Sequence, residues 1–378
     1  MRTASIALGT GVAAILACGF VTIAACANAD ATPAQSQASD TANVQNARLE
    51  TRALTGTLAA ELKMFEGQSG EPRWIGYKVP QVAGDREVCC AGSNGNGNQE
   101  CGPCRLESSD RSINMNSRSA PMNLEAVDAI AILFRAENKK IMKIRVVSAQ
   151  CTVDAAGLPF VWLTGVKPAE SVVFLANYVH GKNSSEGDDR KLGHESLAAI
   201  ALHADESADR ALESFVQPSE REELRKQASF WLGEARGEAG LATLRQMAKN
   251  DPSSEVRAQV TFALSVSRDP SAVDEMIRMA KEDENSHVRG QALFWLAQKA
   301  GKKAAATITG AIENDPDTDV KKKAVFALSQ MPKDEGVPKL IEVAQTNHNP
   351  AVRKQAMFWL GQSNDPRALA FFEKVLSQ

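Results

Sequence analysis

The hydrophobic and polar positions of this chain follow one period in its first half and another in its second half. Apolar residues alternate with their neighbours over residues 130–134 and again over 142–146, on either side of a polar segment at 137–140. Successive side chains of a strand point to opposite faces, so this alternation is typical of a half-buried strand. The two segments and their polar turn therefore predict a β-hairpin.

Around this hairpin, residues 48–181 have the mixed character of a small α+β domain. Residues 54–65 predict a short helix and residues 74–82 predict an extended segment. A second helix is predicted over residues 168–179, because a proline opens this segment and an apolar run follows it. We expect this helix to dock the domain onto the second half of the chain, after a linker at residues 182–191.

The second half, residues 192–378, repeats itself every 32 residues. The nine residues that begin at Arg225 recur almost unchanged at Arg353, with intermediate copies between them, and an apolar residue always follows the phenylalanine of each copy by 14 positions. Two amphipathic helices in each period of this length are typical of an α-solenoid. We therefore expect about six helical hairpins of 32 residues, the first of them degenerate.

Each copy also opens with a short motif, seen in the segments 251–257, 315–321 and 349–353. These segments resemble the Asp-Pro-x-Val-Arg helix start of HEAT repeats, and in particular the short HEAT-like repeats of phycobilisome lyases. The resemblance covers about half of the chain. In that family the Asp and Arg bond between successive repeats, so the resemblance implies a structural ladder made of Asp251, Asp283, Asp315, Arg257, Arg289 and Arg353.

A row of large apolar residues is predicted on one side of the stack. At about 100° per residue, Val256 and Val260 face the core, while Phe262 lies on the opposite side with Gln259 beside it. Large apolar groups on a face away from the core usually mark an interaction surface. The alternative is that each phenylalanine covers the groove between adjacent helices. The predicted partner-binding stripe consists of Phe230, Phe262, Phe294, Phe326, Phe358, Gln227, Gln259, Gln291 and Gln355, with Lys323 in the fourth copy.

Tryptophans follow the phenylalanine in every second copy. Trp231, Trp295 and Trp359 alternate with Ala263 and Ala327. Because this position lies at a core-facing angle, the alternation predicts packing of large against small side chains inside the core.

The first residues predict export from the cytoplasm. Residues 1–29 carry an arginine at position 2, continue through an apolar stretch and end in small residues, as a secretory signal does. Residues 30–47 predict a disordered polar tether. Two processing routes remain open. Residues 23–26 resemble a bacterial lipobox that would acylate Cys26, while Ala29 or Ala31 suits ordinary cleavage. Both routes place the mature chain in the periplasm, on the envelope or outside the cell.

Five cysteines remain after Cys26, and in an oxidising compartment they are predicted disulfide partners. The second strand of the hairpin runs into Cys151, so we expect a disulfide from it to the cysteine-rich loop. A thioredoxin-like redox site at residues 101–104 and a zinc knuckle are the alternatives. Because five is odd, one thiol is expected to be free or to pair with another chain. The disulfide candidates are Cys89, Cys90, Cys101, Cys104 and Cys151.

Charge and motifs restrict the function. The chain has 43 Lys and Arg against 46 Asp and Glu, a net charge of −3, so it lacks the basic field that attracts nucleic acid. The sequence contains no phosphate loop, no HExxH and no nucleophile elbow, and its histidines are scattered without pairing. They are expected at the surface or as caps. We therefore expect no catalytic residues, no cofactor and no metal site.

These observations favour a non-catalytic scaffold or adaptor that binds a protein or peptide in the cell envelope and touches the membrane only through a lipid on Cys26. The alternatives are an envelope sensor and a solenoid enzyme. The resemblance implies lyase-like activity or metal hydroxylase-like activity. A hydroxylase that is itself a HEAT-like solenoid holds two irons with His-Glu pairs. Only His194-Glu195 has this dipeptide here, and later copies carry Gln227, Gln259 and Gln291 at the equivalent place, where glutamine is a poor iron ligand.

Overall fold

The computed structural model describes residues 42–67, 70–84, 91–93, 99–101, 104–107, 128–180 and 187–377. The predicted signal peptide, Cys26, Cys89 and Cys90 lie outside these residues. Within them, strands and one short helix come first and a long series of helices follows.

Ten strands lie between residues 44 and 164 of the described chain. They form a five-stranded sheet, a three-stranded sheet and a two-stranded ladder. The strands are β1 (Val44–Gln45), β2 (Arg48–Ala53), β3 (Arg73–Pro80), β4 (Ala91–Ser93), β5 (Gln99–Cys101), β6 (Cys104–Arg105), β7 (Ala129–Glu137), β8 (Lys140–Ser148), β9 (Val153–Asp154) and β10 (Pro159–Thr164).

The five-stranded sheet has the order β2-β10-β3-β7-β8 and contains the predicted hairpin as β7 and β8. The turn between them is formed by Asn138 and Lys139, both with positive φ, as a two-residue hairpin turn requires. The register shifts between Arg135 and Ala136. Beyond this irregularity Ile141 is buried, whereas Met142, which the alternation placed with the buried residues, is exposed. A bulge reverses which face each later side chain occupies.

Both faces of this sheet are covered. On one face, Ile132 and Phe134 of β7 belong to the large hydrophobic core that continues into the helices. On the other face, Leu133 of β7 belongs to a smaller core with residues of β3 and β10, closed by Val153 of β9 and by Leu106, which directly follows β6. Strand β7 is therefore buried on both sides, which explains its nearly continuous apolar sequence.

Fourteen helices occupy most of the remaining described residues. The predicted helix of the N-terminal part begins at Leu58, and the predicted docking helix begins at Pro168. The helices are α1 (Leu58–Gly67), α2 (Pro168–Val179), α3 (Gly187–Leu202), α4 (Glu206–Phe215), α5 (Glu222–Ala235), α6 (Gly237–Asn250), α7 (Ser254–Val266), α8 (Ala272–Glu282), α9 (Ser286–Ala300), α10 (Lys302–Asn314), α11 (Thr318–Ser329), α12 (Lys333–Thr346), α13 (Pro350–Gln362) and α14 (Pro366–Leu376).

From α3 onward the helices form six hairpins, which confirms the predicted solenoid. The first helices of successive hairpins pack on one another in the order α3, α5, α7, α9, α11 and α13 and form one layer. The apolar residues 14 positions after each phenylalanine lie in the second helices. Leu244, Met276, Ile308 and Leu340 are buried, and Phe372 in the last repeat is partly buried. Several helix starts are capped by side chains, as where Asp317 accepts a hydrogen bond from the backbone of Asp319.

One hydrophobic core joins the sheet to the solenoid. It runs without interruption from Ile75 and Phe134 through Leu175 of α2 to the helices of every repeat. The predicted boundary at residues 182–191 therefore separates two parts of the sequence but not two cores, and α3 begins within it. The predicted tether at residues 30–47 likewise overlaps the folded part of the chain, because Val44–Gln45 form β1 and pair with β9.

Buried ion pairs hold successive repeats together, as the predicted ladder requires. In α5, α7 and α9 an arginine donates two hydrogen bonds to the aspartate 26 residues later, in the next repeat. At the fourth junction Lys321 and Asn347 replace this pair, and Lys321 bonds the Glu313 carbonyl instead. Arg353, predicted as a rung, forms no ion pair with a described residue. The three pairs are Arg225 with Asp251, Arg257 with Asp283, and Arg289 with Asp315.

Candidate partner-binding surface

The phenylalanines of the predicted stripe line up along the layer of first helices. Phe230, Phe262, Phe294 and Phe326 are half-buried, and Phe358 in the last repeat is 54% exposed. Phe230 stacks on Phe262, and Phe294 stacks on Phe326, with ring centroids 5.8 Å apart in both pairs. The rings therefore cover the grooves between neighbouring helices while part of their surface stays exposed, so each of the two sequence-based interpretations describes one aspect of them.

Tryptophan rings complete this row where the phenylalanines do not touch. The Trp295 ring lies 4.8 Å from the Phe262 ring and 4.8 Å from the Phe294 ring. Trp359 lies in the same way between Phe326 and Phe358, at 4.9 and 5.0 Å. Eight rings thus form an unbroken series, which we call the aromatic column. In spatial order its members are Trp231, Phe230, Phe262, Trp295, Phe294, Phe326, Trp359 and Phe358.

The tryptophans differ from the prediction of large-small core packing. The alanines at this position, Ala263 and Ala327, are completely buried, but all three tryptophans are half-buried and only border the core. The backbone position is core-facing in both cases, yet an indole is too large for the space that an alanine methyl fills. The Trp295 ring instead occupies the gap between two phenylalanines. Where the residue is alanine, the phenylalanines of adjacent repeats stack directly.

The predicted glutamines are half-buried and lie on the same first helices as the phenylalanines. Gln227 donates a hydrogen bond to Glu223, 2.9 Å away. The amides of Gln259, Gln291 and Gln355 form no hydrogen bond to another described side chain or backbone group, so their donors and acceptors face water. We call Gln227, Gln259, Gln291 and Gln355, with Lys323 in the fourth copy, the glutamine row.

A cavity of about 450 Å³ lies at the N-terminal end of the column, between α3 and α5. Phe230, Trp231 and Gln259 form part of its wall, opposite Glu195 and Ala198 of α3. A second cavity of about 240 Å³ adjoins it, because both are lined by His194, Glu223 and Gln227.

Glu223 in the shared wall of these cavities is held in its charged form. Hydrogen bonds from Gln227 and Lys226 lower the pKa of its carboxyl group. The Lys226 ammonium lies 3.0 Å from Glu223, which balances its charge. The surface at this end of the column is thus apolar on one side and carries balanced charges and amides on the other.

A buried chain of hydrogen bonds was not predicted from the sequence. His203, expected at the surface or as a cap, is fully buried, with Nδ1 2.7 Å from the Ala199 carbonyl and Nε2 2.9 Å from Ser171 Oγ. Nδ1 therefore donates and Nε2 accepts from the serine hydroxyl, which in turn accepts from Tyr77, 2.7 Å away. Burial lowers the pKa of His203 to about 4 and raises the pKa of the Tyr77 hydroxyl.

This chain of hydrogen bonds is structural. A serine hydroxyl bonded to an imidazole resembles a nucleophile with its base, but all three side chains are shielded from water and have no access to a substrate. Tyr77 lies in β3, Ser171 lies in α2, and His203 directly follows α3. The three residues therefore tie the sheet to the first repeat. The backbone does the same, since Val82 donates to Leu202 and Ala204 donates to Pro80.

Two of the candidate cysteines are described with their side chains, and both are disulfide-bonded. Cys104 lies in β6, and its N–H donates to the carbonyl of Thr152, next to Cys151. Both side chains are buried in the smaller core. Which cysteines pair stays a prediction. Among the described residues, no group of three or more His, Cys, Asp and Glu is arranged to hold a metal ion, and no described helix combines the length and apolar character needed to span a membrane.

Comparison with protein families identifies HEAT repeats over residues 208–297 and 305–378. No curated protein matches the sequence.

Solved structures with similarity include the complex of CpcE and CpcF of phycocyanin lyase from Nostoc sp. PCC7120. It is 24% identical, with a TM-score of 0.32, over 41% of this chain and 99% of that chain. Human deoxyhypusine hydroxylase in complex with glycerol is 19% identical, with a TM-score of 0.24, over 54% and 77%. Kap95p bound to RanGDP is 13% identical, with a TM-score of 0.29, over 52% and 34%. Similarities this distant carry no argument about activity.

Proposed function

The solenoid of this chain is an array of HEAT repeats, and we propose that it binds an extended segment of a protein partner along the aromatic column. The observation that carries the proposal is the column itself. Eight aromatic rings, each in contact with the next, run across five repeats and keep part of their surface exposed. A stable core does not need this arrangement, because the residues that close the core are separate and fully buried, such as Leu264 and Leu296.

The chemistry of the column favours a polypeptide. Phe230 and Phe262 stack nearly parallel, inclined by 13°, and Phe294 and Phe326 are inclined by 5°. The ring faces thus pack against each other, so the ring edges are left to contact a ligand. Sugars and nucleic-acid bases, in contrast, stack on free ring faces. Apolar side chains pack against ring edges. The free amides of the glutamine row supply the donors and acceptors that an extended peptide backbone needs.

The repeat geometry matches such a ligand. A stack of repeats presents the same groups at regular intervals along one continuous surface, so it suits a chain better than a compact small molecule. The cavities at the N-terminal end, lined by Phe230, Trp231, Glu223 and Lys226, offer an apolar wall beside balanced charges for one residue of the segment. This role is that of a scaffold or adaptor, without chemistry on the partner.

The place of this binding follows from the first residues of the sequence. We propose that residues 1–29 direct export and that Cys26 carries a lipid, so the partner is a protein of the envelope. Growth with a fatty-acid analogue tests the anchor. Label on the wild type and none on Cys26→Ser supports it, whereas label that persists in the variant contradicts it.

Crosslinking tests the binding surface. A photo-reactive residue placed at Gln259, beside the column, should crosslink to a polypeptide in intact cells. The same residue at Thr243 of the second helix α6, half-buried like Gln259, is the control. The crosslink should disappear in a folded Phe262→Ala, Phe294→Ala variant and persist when exposed Met64 of α1 is changed to alanine. Equal crosslinking from Gln259 and Thr243, or a crosslink unaffected by the double variant, contradicts the proposal.

A further inference from the structure

At the end of α7, a lysine from the next repeat bonds two backbone carbonyls. The last carbonyls of a helix have no partner within it, and a cationic side chain can bond them. Lys299 donates to the carbonyl of Ser265, 2.7 Å from its Nζ, and to the carbonyl of Ser267. One ammonium group thus bridges two carbonyls that lie two residues apart.

The same arrangement occurs at the end of α3. Nη1 of Arg236 lies 3.2 Å from the Ala201 carbonyl and 2.6 Å from the His203 carbonyl. Both carbonyls lie 64 residues before the pair that Lys299 bonds, and Arg236 lies one position past the equivalent of that lysine. The protein therefore places a cation of its own on this carbonyl pair in two repeats that are 64 residues apart.

The third occurrence, at the end of α11, has no such side chain. Ser363 stands at the position of Lys299, and its short side chain donates to the Leu360 carbonyl of the helix that it follows. The equivalent carbonyls, those of Ser329 and Met331, accept no hydrogen bond from a described side chain.

A cavity of about 190 Å³ lies at this place. Its wall includes Ser329 and Met331, which carry the two carbonyls, Ser363, which replaces the lysine, and Trp359 of the aromatic column. The cavity therefore corresponds to the space of the Lys299 ammonium group two repeats earlier. It is far larger than the roughly 15 Å³ that one water molecule needs, so it accommodates the end of an alkylammonium chain.

The charges of the cavity wall are compatible with a cation. Ser329 is the last residue of α11, so the negative end of the helix dipole lies in the wall. Lys333 is the one charged residue among those that form this wall. It is exposed, so its ammonium group stays in water and opposes a bound cation only weakly.

We infer that this cavity binds a primary ammonium group. The carbonyls of Ser329 and Met331 accept from it as their equivalents accept from Lys299. The group belongs either to a lysine side chain of a polypeptide or to a small alkylamine. A segment bound along the aromatic column passes the cavity, because Trp359 borders both. The polypeptide source rests on the proposed function, whereas the ammonium site does not.

Nuclear magnetic resonance of the purified protein tests the site with simple probes. The indole N–H signal of Trp359, assigned with Trp359→Phe, should shift on addition of n-butylammonium chloride. The shift should saturate with a dissociation constant of about 10 mM or lower, since two hydrogen bonds to a charged group form. n-Butanol, which has the same chain without the charge, should bind at least about tenfold more weakly. Potassium chloride controls for ionic strength.

Variants of the cavity provide matched controls. Ser363→Lys supplies an ammonium group from the protein itself, so it should abolish the n-butylammonium shift and raise the urea midpoint of unfolding. Lys299→Ser is the converse. It should lower the midpoint, and n-butylammonium should recover part of the loss while n-butanol should not. Lys333→Ala removes the opposing charge and should tighten n-butylammonium binding by about twofold or more, whereas an anion site would be weakened.

A lysine derivative distinguishes the two sources. Nα-acetyl-lysine N-methylamide that binds at least as tightly as n-butylammonium assigns the cavity to a polypeptide lysine, and binding of n-butylammonium alone assigns it to a small alkylamine. The inference is overturned by the lack of a saturable shift with either probe, by an equal shift with n-butanol, or by a shift that persists in Ser363→Lys. These results are independent of crosslinking from Gln259, so failure of the site and failure of the proposed function are distinguishable.

Discussion

Phe294 and Phe326 stack with ring centroids 5.8 Å apart and ring planes inclined by 5°. They occupy the same position in consecutive repeats, and the residue that follows Phe326 is Ala327 rather than a tryptophan. Phe262 and Phe294 are also equivalent and consecutive, but the Trp295 ring lies between them. One small or large residue per repeat thus decides how adjacent repeats share the aromatic column.

This difference predicts a difference in energetic coupling. A double-mutant cycle of Phe294→Ala and Phe326→Ala should give a coupling of about 1 kcal/mol in the free energy of unfolding, from the stacked rings. The cycle of Phe262→Ala and Phe294→Ala should give less, because Trp295 separates the rings. Urea unfolding measures both. Equal coupling in the two cycles contradicts the described geometry.

The same phenylalanines should contribute modestly to stability. Phe294→Ala is expected to cost about 1–2 kcal/mol because the side chain is only half-buried. Leu296→Ala is the matched control. Its side chain is fully buried on the same helix, so its loss should cost about 3–4 kcal/mol. A Phe294→Ala cost as large as that of Leu296→Ala would place the ring in the core and remove it from the proposed surface.

The buried ion pairs between repeats predict a large loss of stability when a single carboxylate oxygen is replaced. In Asp283→Asn, one oxygen that accepts from Arg257 becomes an amide, which leaves the buried arginine charge without its counter-charge. Stability should fall by about 3 kcal/mol. Asp274→Asn removes the exposed pair with Lys303 and should change stability by less than about 1 kcal/mol. Similar losses in the two variants would show that the ladder does not hold the repeats together.

His203 predicts a pH dependence of stability. Burial lowers its pKa to about 4 in the folded protein from 6.5, and the facing groups, Asp205 and Arg236, have smaller and opposed effects. Between these values the unfolded chain binds the proton and the folded chain does not, so stability falls as pH falls from about 6.5 to about 4. The full loss from this group is about 3 kcal/mol.

Unfolding of His203→Gln by urea at several pH values isolates this contribution. Subtracting the variant curve from the wild-type curve should leave a decline confined to that pH window. His348→Gln, at an exposed site, is the control and should keep the wild-type profile. A wild-type decline that persists unchanged in His203→Gln would assign the pH dependence to other groups.

The disulfides give a prediction that chemistry can settle directly. Peptide mass spectrometry without reduction should find Cys151 bridged to one of Cys89, Cys90, Cys101 or Cys104, because its strand borders the cysteine-rich segment. Stoichiometric zinc with all five thiols free would instead support the zinc knuckle.

The sequence predicts the solenoid well because each repeat independently shows the same pattern of apolar and polar positions. The alternation at residues 130–146 likewise predicts the hairpin, except where the shift at Arg135 exchanges Ile141 and Met142 between faces. Helical angles give the direction of a backbone position but not the rotation of the side chain. For this reason they placed Trp295 in the core, although its indole turns out between two phenylalanines.

The burial of His203 could not be predicted for a different reason. Its partner Ser171 and the next member, Tyr77, lie far from it in sequence, and no local pattern records that three elements meet there. The joining of the sheet and the solenoid into one core has the same origin. Contacts between segments distant in sequence determine both the burial of His203 and the shared core. A repeat or an alternation of apolar residues predicts only the structure of its own segment.

The affinity of a captured partner for column variants tests the central claim most directly. Measured by calorimetry, Phe262→Ala and Phe294→Ala should each weaken binding by about 2 kcal/mol or more, roughly thirtyfold, while the variants remain folded. Thr243→Ala, at a half-buried position of the second helix α6, should bind like the wild type. Folded phenylalanine variants that bind the partner with unchanged affinity would contradict the account.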